Sequence, residues 1–287
     1  MKQRIISAAI GLLVLVVALG LYDTLVVNCL AAFICGVAVL ELLNAAGLTK
    51  YKLLSAVSIL FSGLLMFINA GNMMAYMSVF STAYAVFCFC YLLYRHNDIN
   101  IKEICYCLLI TLLVTLSFYM LISIRDRSSA QVGMFYLLMA FGSAWWSDTG
   151  AYFAGTFFGK HKLCPRISPK KTVEGLVGGI FTAVLGNLLV AVSFVWASNQ
   201  IVPTGYFSSH MQVNLLAVLM VTPFLSLMGV LGDLSASIVK RQNGIKDFGN
   251  IMPGHGGIMD RFDSVLFISP MVFLIFRFFP LVTLISG

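Results

Sequence analysis

The sequence predicts an all-α integral membrane protein, a polytopic bundle of about nine transmembrane helices with a polar site facing the cytoplasm. Three observations predict it. Of 287 residues, 60% are hydrophobic and 10% charged, and mean hydropathy is +0.96, so polar side chains are too few to coat a soluble globule. Apolar runs long enough to cross a bilayer recur at roughly 5–21, 24–43, 53–71, 76–94, 104–124, 133–158, 173–197, 213–235 and 264–285. The basic residues behind the net charge of +7 are concentrated in alternate loops.

The first run follows Met1-Lys2-Gln3-Arg4 like a signal peptide, but no small-x-small cleavage site follows it, and it reads as a membrane helix. With the N-terminus in the cytoplasm, Lys2, Arg4, Lys50, Lys52, Arg95, Lys102, Lys160, Lys162, Arg166, Lys170, Lys171, Lys240, Arg241, Lys246 and Arg261 fall inside. Arg125 and Arg127 lie outside, Arg277 lies near the outer end of the last span, and the C-terminus is outside. The basic pI of 9.1 is thus accounted for by orientation, and no nucleic-acid partner is expected.

The first five runs carry little chemistry. Glu41 is their one acidic residue, expected to pair with Lys50 or Lys52. Six of the seven cysteines lie in apolar runs, where a thiol behaves as a small hydrophobe, so neither a disulfide framework nor a soft-metal site is expected. Loops are short and no repeat of fixed period occurs, so residues 1–287 read as one membrane domain.

The sixth run changes character. Gly142-Ser-Ala-Trp-Trp-Ser-Asp148-Thr-Gly-Ala-Tyr-Phe-Ala-Gly155 is rich in small residues that permit close helix contact. Asp148 lies inside the span; it reads as a ligand for a cation or a substrate head group in a polar cavity lined also by Tyr152, against the plainer reading of an interhelical hydrogen bond. Trp145 and Trp146 are read as packing residues. The next loop holds Lys160, His161, Lys162 and Arg166, then Ser168-Pro-Lys170-Lys171-Thr172-x-Glu174-Gly175. Positive-inside sorting explains part of this cluster, but Lys170 and Lys171 at the expected start of a helix also suit a phosphate. His161 is expected to be a solvated loop residue.

The stretch from Gly232 to Asp263 is the most polar in the chain. If residues 233–241 are helical, Asp233, Ser237, Lys240 and Arg241 share a stripe. Pro253, Gly254, Gly256 and Gly257 surround His255 and expose backbone N–H groups to an anion. Asp260, Arg261 and Asp263 open the last helix. Carboxylates with few imidazoles and no thiolates in reach suit Mg²⁺, and neighbouring cations suit a polyphosphate. The residues alone therefore point to metal-assisted phosphoryl or nucleotidyl transfer onto an amphiphile.

Ser237-x-x-Lys240-Arg241, then Lys246-Asp247, then Pro253-x-His255-Gly256-Gly257-x-x-Asp260-Arg261-x-Asp263 resembles the signature of the phosphatidate cytidylyltransferase (CDP-diacylglycerol synthase) family. Its polar positions are complete; Met252 stands where that signature usually has Leu, Ile or Phe. The Ser168–Gly175 block is similar to a second block of the family. The resemblance implies CTP and phosphatidic acid as substrates, a bacterial inner-membrane location, and spans to about residue 130 as scaffold with 131–287 as the catalytic half. It implies Asp233, Asp260 and Asp263 as ligands of Mg²⁺, with room for a second cation, and Lys240, Arg241, Lys246, Asp247, His255 and Arg261 as catalytic residues. Asp148, Lys170, Lys171, Glu174, Ser237, Gly256 and Gly257 are the expected substrate contacts, and a homodimer is compatible with the layout.

Three other readings compete. A CTP-dependent lipid kinase, or a cytidylyltransferase for another lipid phosphate, would use the same site. A CDP-alcohol phosphotransferase would need an Asp-Gly-x-x-Ala-Arg motif that the chain lacks. An ion-coupled transporter would bind its ion at Asp148 and Asp233, but most charges cluster at one membrane face.

Overall fold

A computed structural model describes residues 11, 13–68, 73–201, 210–252 and 256–285. Two compact units emerge, one of residues 1–127 with 240–262, the other of residues 128–239 with 263–287. The first unit thus joins the N-terminal helices to much of the polar C-terminal stretch.

In the first unit, residues 13–20 are helical and four helices follow: α1 (Leu25–Ala45), α2 (Lys52–Leu65), α3 (Met73–Tyr94) and α4 (Ile101–Arg127). Thr24 caps α1 by accepting from the Val26 N–H. Asn100 and Glu103 cap α4 reciprocally: each side chain accepts from the other's backbone N–H, both at 3.0 Å. Several polar groups inside the bundle are paired across helices, as a low-dielectric interior favours. Ser58 Oγ lies 2.8 Å from the Tyr84 hydroxyl, and Arg125 donates to Asn28 Oδ1 at 2.8 Å.

The second unit holds α5 (Ala130–Phe158), a hairpin of β1 (Lys162–Cys164) and β2 (Ser168–Thr172), α6 (Val173–Ile201), β3 (His210–Val213), and most of α7 (Leu215–Gln242) and α8 (Met259–Phe278), ending in β4 (Val282–Ile285). Helices α5 and α6 are antiparallel and meet through glycines: a Cβ on Gly150 would overlap Thr182, and one on Gly178 would overlap Ala154. Buried Asn187 on α6 donates to Ser143 Oγ of α5 at 2.8 Å and to Thr222 Oγ1 of α7 at 3.2 Å.

Among the described residues helices occupy most of the expected runs, with differences that have local causes. The structure is not wholly α: β1 pairs antiparallel with β2, and β3 with β4. The run at 264–285 does not stay helical, because Pro280 follows the end of α8 and the chain then pairs with β3. Lys170 and Lys171 lie in strand β2, not at a helix start; Thr172 caps α6 by accepting from Gly175 N at 3.1 Å. Among the described residues, Leu25–Ala45, Tyr76–Tyr94, Ile101–Arg127, Val173–Ser198 and Leu215–Gln242 are long and apolar enough to cross a membrane. The 14 residues of α2 fall short of the roughly 20 a span needs. Part of the run at 5–21, and residues 69–71 of the run at 53–71, lie outside the described residues.

Close glycine packing and the Asn187 bridge should differ in worth. Gly178→Leu should destabilise the protein by about 1–3 kcal/mol through overpacking, whereas Asn187→Ala should cost about 0.6 kcal/mol, the usual worth of an interhelical hydrogen bond in a membrane protein. Thermal melts in detergent should therefore rank Gly178→Leu well below Asn187→Ala; the reverse order would show that the polar bridge, not the glycine contact, holds the helices.

Candidate active site

In the first unit, the polar stretch begins where α7 stops. Gly244 takes a positive φ of 67°, and the Ile245 N–H closes on the Lys240 carbonyl at 3.0 Å, turning the chain out of the helix. Asp260, in the first turn of α8, then organises the loop. Its Oδ1 accepts from Lys240 Nζ at 2.7 Å, and its Oδ2 from Phe248 N at 2.8 Å and Gly257 N at 2.9 Å. The Asp260 side chain is 4% exposed and that of Lys240 12%. The ammonium also lies 5.2 Å from the centroid of the buried Phe248 ring.

Glu41 completes this arrangement and overturns the expected pairing with Lys50 or Lys52. Lys50 pairs with Glu103 at 3.2 Å. The buried Glu41 carboxylate instead accepts from Ile258 N at 3.0 Å and Met259 N at 2.8 Å, two of the N–H groups that α8 leaves without intrahelical partners. A Cβ on Gly249 or Gly257 would overlap that carboxylate, so these glycines are required by its approach. Glu41 is the residue beside the candidate site whose structural role the sequence does not disclose. The available signal is that no other acid occurs in the first five apolar runs.

Other first-unit candidates lie at the surface. Arg241, Lys246 and Asp247 are exposed, and Lys246 forms no ion pair with Asp247. Arg261 is exposed, and Gly256 takes φ 85° beside the Asp260 carboxylate. His255, Pro253 and Gly254 lie outside the described residues.

In the second unit, Asp233 on α7 forms an ion pair with Lys171 of β2, each side chain about a quarter exposed, and accepts from Ser237 Oγ at 3.4 Å. The spacing of Asp233 and Ser237 along α7 thus brings them together as the sequence pattern suggests. Gly232 packs its backbone onto the Asp263 carbonyl, bringing α7 and α8 into contact beside Asp233. Asp263 is 8% exposed and accepts from its neighbour Ser264 N at 2.7 Å.

Lys170 is exposed. Glu174 serves the structure of the hairpin. Its carboxylate accepts from Lys160 N at 3.1 Å and His161 N at 3.2 Å and pairs with His161 Nδ1 at 2.6 Å, pinning the hairpin to α6. His161, expected to be merely solvated, is therefore a partner of Glu174 although still exposed. Asp148 is exposed on a stripe of α5 with Trp145, Thr149 and Tyr152.

Among the described residues no three His, Cys, Asp or Glu side chains cluster as a ready metal cage. The donor chemistry still fits Mg²⁺, which needs only one or two carboxylates and completes its shell with water and substrate phosphates. Lys171, seated on the Asp233 carboxylate, already shows that this acid holds positive charge.

The cytidylyltransferase family matches residues 2–279 of the chain. Over 286 residues, 97% of this chain and 98% of the other, it is 34% identical to a Bacillus subtilis protein named phosphatidate cytidylyltransferase. Proteins of the same name from Staphylococcus haemolyticus and Staphylococcus saprophyticus are 34% and 35% identical over 95% of this chain and 97% of theirs.

Removing the Glu41 carboxylate should leave two N–H groups of α8 unsatisfied at about 1–3 kcal/mol each. Amide hydrogen exchange at Ile258 and Met259 should accelerate in Glu41→Ala, and less in Glu41→Gln, which keeps one acceptor oxygen. Unchanged protection in Glu41→Ala would remove the carboxylate from its capping role.

Proposed function

The chain belongs to the cytidylyltransferase family, and from that premise we infer that it joins CTP to phosphatidic acid, giving CDP-diacylglycerol and pyrophosphate. The observation that carries this reading is the extent of the likeness: relatives named for this reaction match almost the whole chain, membrane helices included. The phosphate monoester of the lipid forms a new P–O bond to the α-phosphorus of CTP, the α–β anhydride breaks, and pyrophosphate leaves with the electron pair. A lipid phosphate is already largely ionised near neutrality, so no strict general base is needed. What the protein must chiefly do is neutralise and align two polyanions.

We assign Asp233, Asp260 and Asp263 to holding Mg²⁺, with a second cation compatible with the same chemistry. Bound Mg²⁺ would supply charge neutralisation for the phosphates. Two lysine–aspartate pairs, Lys171 with Asp233 and Lys240 with Asp260, support the assignment. Each pair is neutral as it stands; a phosphate would compete for the lysine, and the aspartate would be left to hold a metal ion. Arg241, Lys246 and Arg261 are assigned to the phosphates with Lys240, Lys170 and Lys171, His255 to donating to a phosphate oxygen, and Asp148 to the substrate head group. The distribution of basic residues supports a bacterial inner-membrane enzyme with this chemistry on the cytoplasmic side.

Purified protein given phosphatidic acid, Mg²⁺ and each of the four nucleoside triphosphates should make liponucleotide with CTP; liponucleotide formed equally from all four, or none from CTP, would overturn the reading. Asp260→Asn and Asp233→Asn should each lower pyrophosphate release by at least about 100-fold, the scale of losing an electrostatic group from a transition state. Both variants should remain membrane-inserted. Full activity in either would remove that carboxylate from the site.

A further inference from the structure

The first unit contains a cavity of about 720 Å³, lined by Lys50, Tyr51, Lys52, Tyr91, Tyr94 and Arg95 together with one acid, Asp98. That size suits a small polar head group. None of these residues belongs to the signature. They sit where α2 begins and α3 ends, so two helix termini and their basic residues face one space.

The charges there are unevenly committed. Arg95 is held by Asp98 at 2.8 Å and Lys50 by Glu103 at 3.2 Å. Hydrogen bonds to Tyr51 and Glu103 raise the pKa of Lys50, so it stays charged at neutral pH. Among the described residues the exposed Lys52 side chain has no ion-pair or hydrogen-bond partner. No side chain caps the start of α2, where free N–H groups add positive potential. The aromatic wall is fixed: the Tyr51 hydroxyl donates to the Asp98 carbonyl, and the Tyr51 and Tyr91 rings meet edge-on at 6.4 Å.

Apolar surface leads away from this cationic space on both helices. Leu53, which lines the cavity, begins a stripe with Leu60 and Leu64 on α2, all more than half exposed. Val86, Phe89 and Leu93 form a second exposed stripe on α3, ending beside Tyr94. A soluble phosphate would satisfy the cations and leave these stripes unused. An anchored phosphate with acyl chains satisfies both.

We propose that this cavity binds the head group of an anionic phospholipid, with Lys52 as the principal phosphate contact and the chains lying along the α2 and α3 stripes. The site is separate in its residues from the cytidylyltransferase signature, and binding there does not depend on the catalytic reading.

Native mass spectrometry of the full-length protein in detergent, titrated with phosphatidylglycerol, tests this directly. Lys52→Gln should weaken retention of phosphatidylglycerol about five-fold and Lys52→Gln/Arg95→Gln about twenty-five-fold, the scale of one and two basic contacts to an anionic head group. Lys52→Arg should bind like the wild type, phosphatidylcholine retention should be unaffected, and glycerol phosphate should neither bind the lipid-free protein nor displace the lipid. Unchanged phosphatidylglycerol affinity in Lys52→Gln overturns the proposal, as does an equal loss of phosphatidylcholine. Binding of glycerol phosphate as tight as that of the lipid assigns the cavity to a soluble phosphate and overturns the lipid reading. Lys52 is exposed, so its substitution leaves packing intact; should the double variant lose helicity by circular dichroism, Lys52→Gln alone decides.

Discussion

The first turn of α8 needs partners that a helix cannot give itself, and two carboxylates meet that need. Glu41 takes the N–H groups of Ile258 and Met259, while Asp260 takes those of Gly257 and Phe248. An apolar chain has little else to offer buried donors, and each one left unpaired costs about 1–3 kcal/mol. Glu41 arrives from α1, more than two hundred residues earlier, so a helix otherwise read as scaffold fixes the loop that carries the signature. Loop and scaffold helix are therefore one structural problem within this unit.

Charge is handled in the same way. Asp260 is nearly buried and so is the ammonium of Lys240, and each would be costly alone. Lys171 and Asp233 repeat the arrangement in the second unit, with more solvent access. Under the proposed function such pairs are exchangeable: a dianionic phosphate would compete for the lysine and a divalent metal ion for the aspartate. Pairing would in this sense make the proposed polyanion site tolerable in so apolar a chain.

Much of this is legible in the sequence because it depends on local periodicity. Long apolar runs mark the helices, and the spacing of Asp233 and Ser237 places their side chains one turn apart, as found. Family membership is legible from the signature, whose polar residues occur in fixed order. What escapes are contacts between residues distant in the chain. Nothing near Glu41 announces that its partners are backbone groups at 258 and 259, and a nearby lysine is the natural partner to expect until the fold brings in α8. Lys170 and Lys171 read as a helix start because Thr172-Val-Glu174 resembles one; the cap is Thr172 itself, and the preceding residues pair as a strand. The hairpin's second anchor, Glu174 on His161, is likewise a tertiary choice between an acid facing substrate and one facing its own chain.

The glycines of the signature look different once Glu41 is in place. Read along the sequence, they suggest bare backbone waiting for a phosphate. In the fold, Gly257 of the signature, with Gly249 ahead of it, makes room for the protein's own carboxylate, and the N–H groups of Gly257, Ile258 and Met259 are already donated to Asp260 and Glu41. Backbone amides on this turn therefore cannot be the main anion grip. Under the proposed function, that role passes to side chains, above all to Arg241 and Lys246, which are exposed around the same loop. Side-chain cations can follow a triphosphate as it divides into product and pyrophosphate, whereas amides fixed in a helix turn cannot. A helix turn capped by carboxylates, with exposed side-chain cations beside it, is under the proposed function a coherent way to bring two anions together and let one of them go.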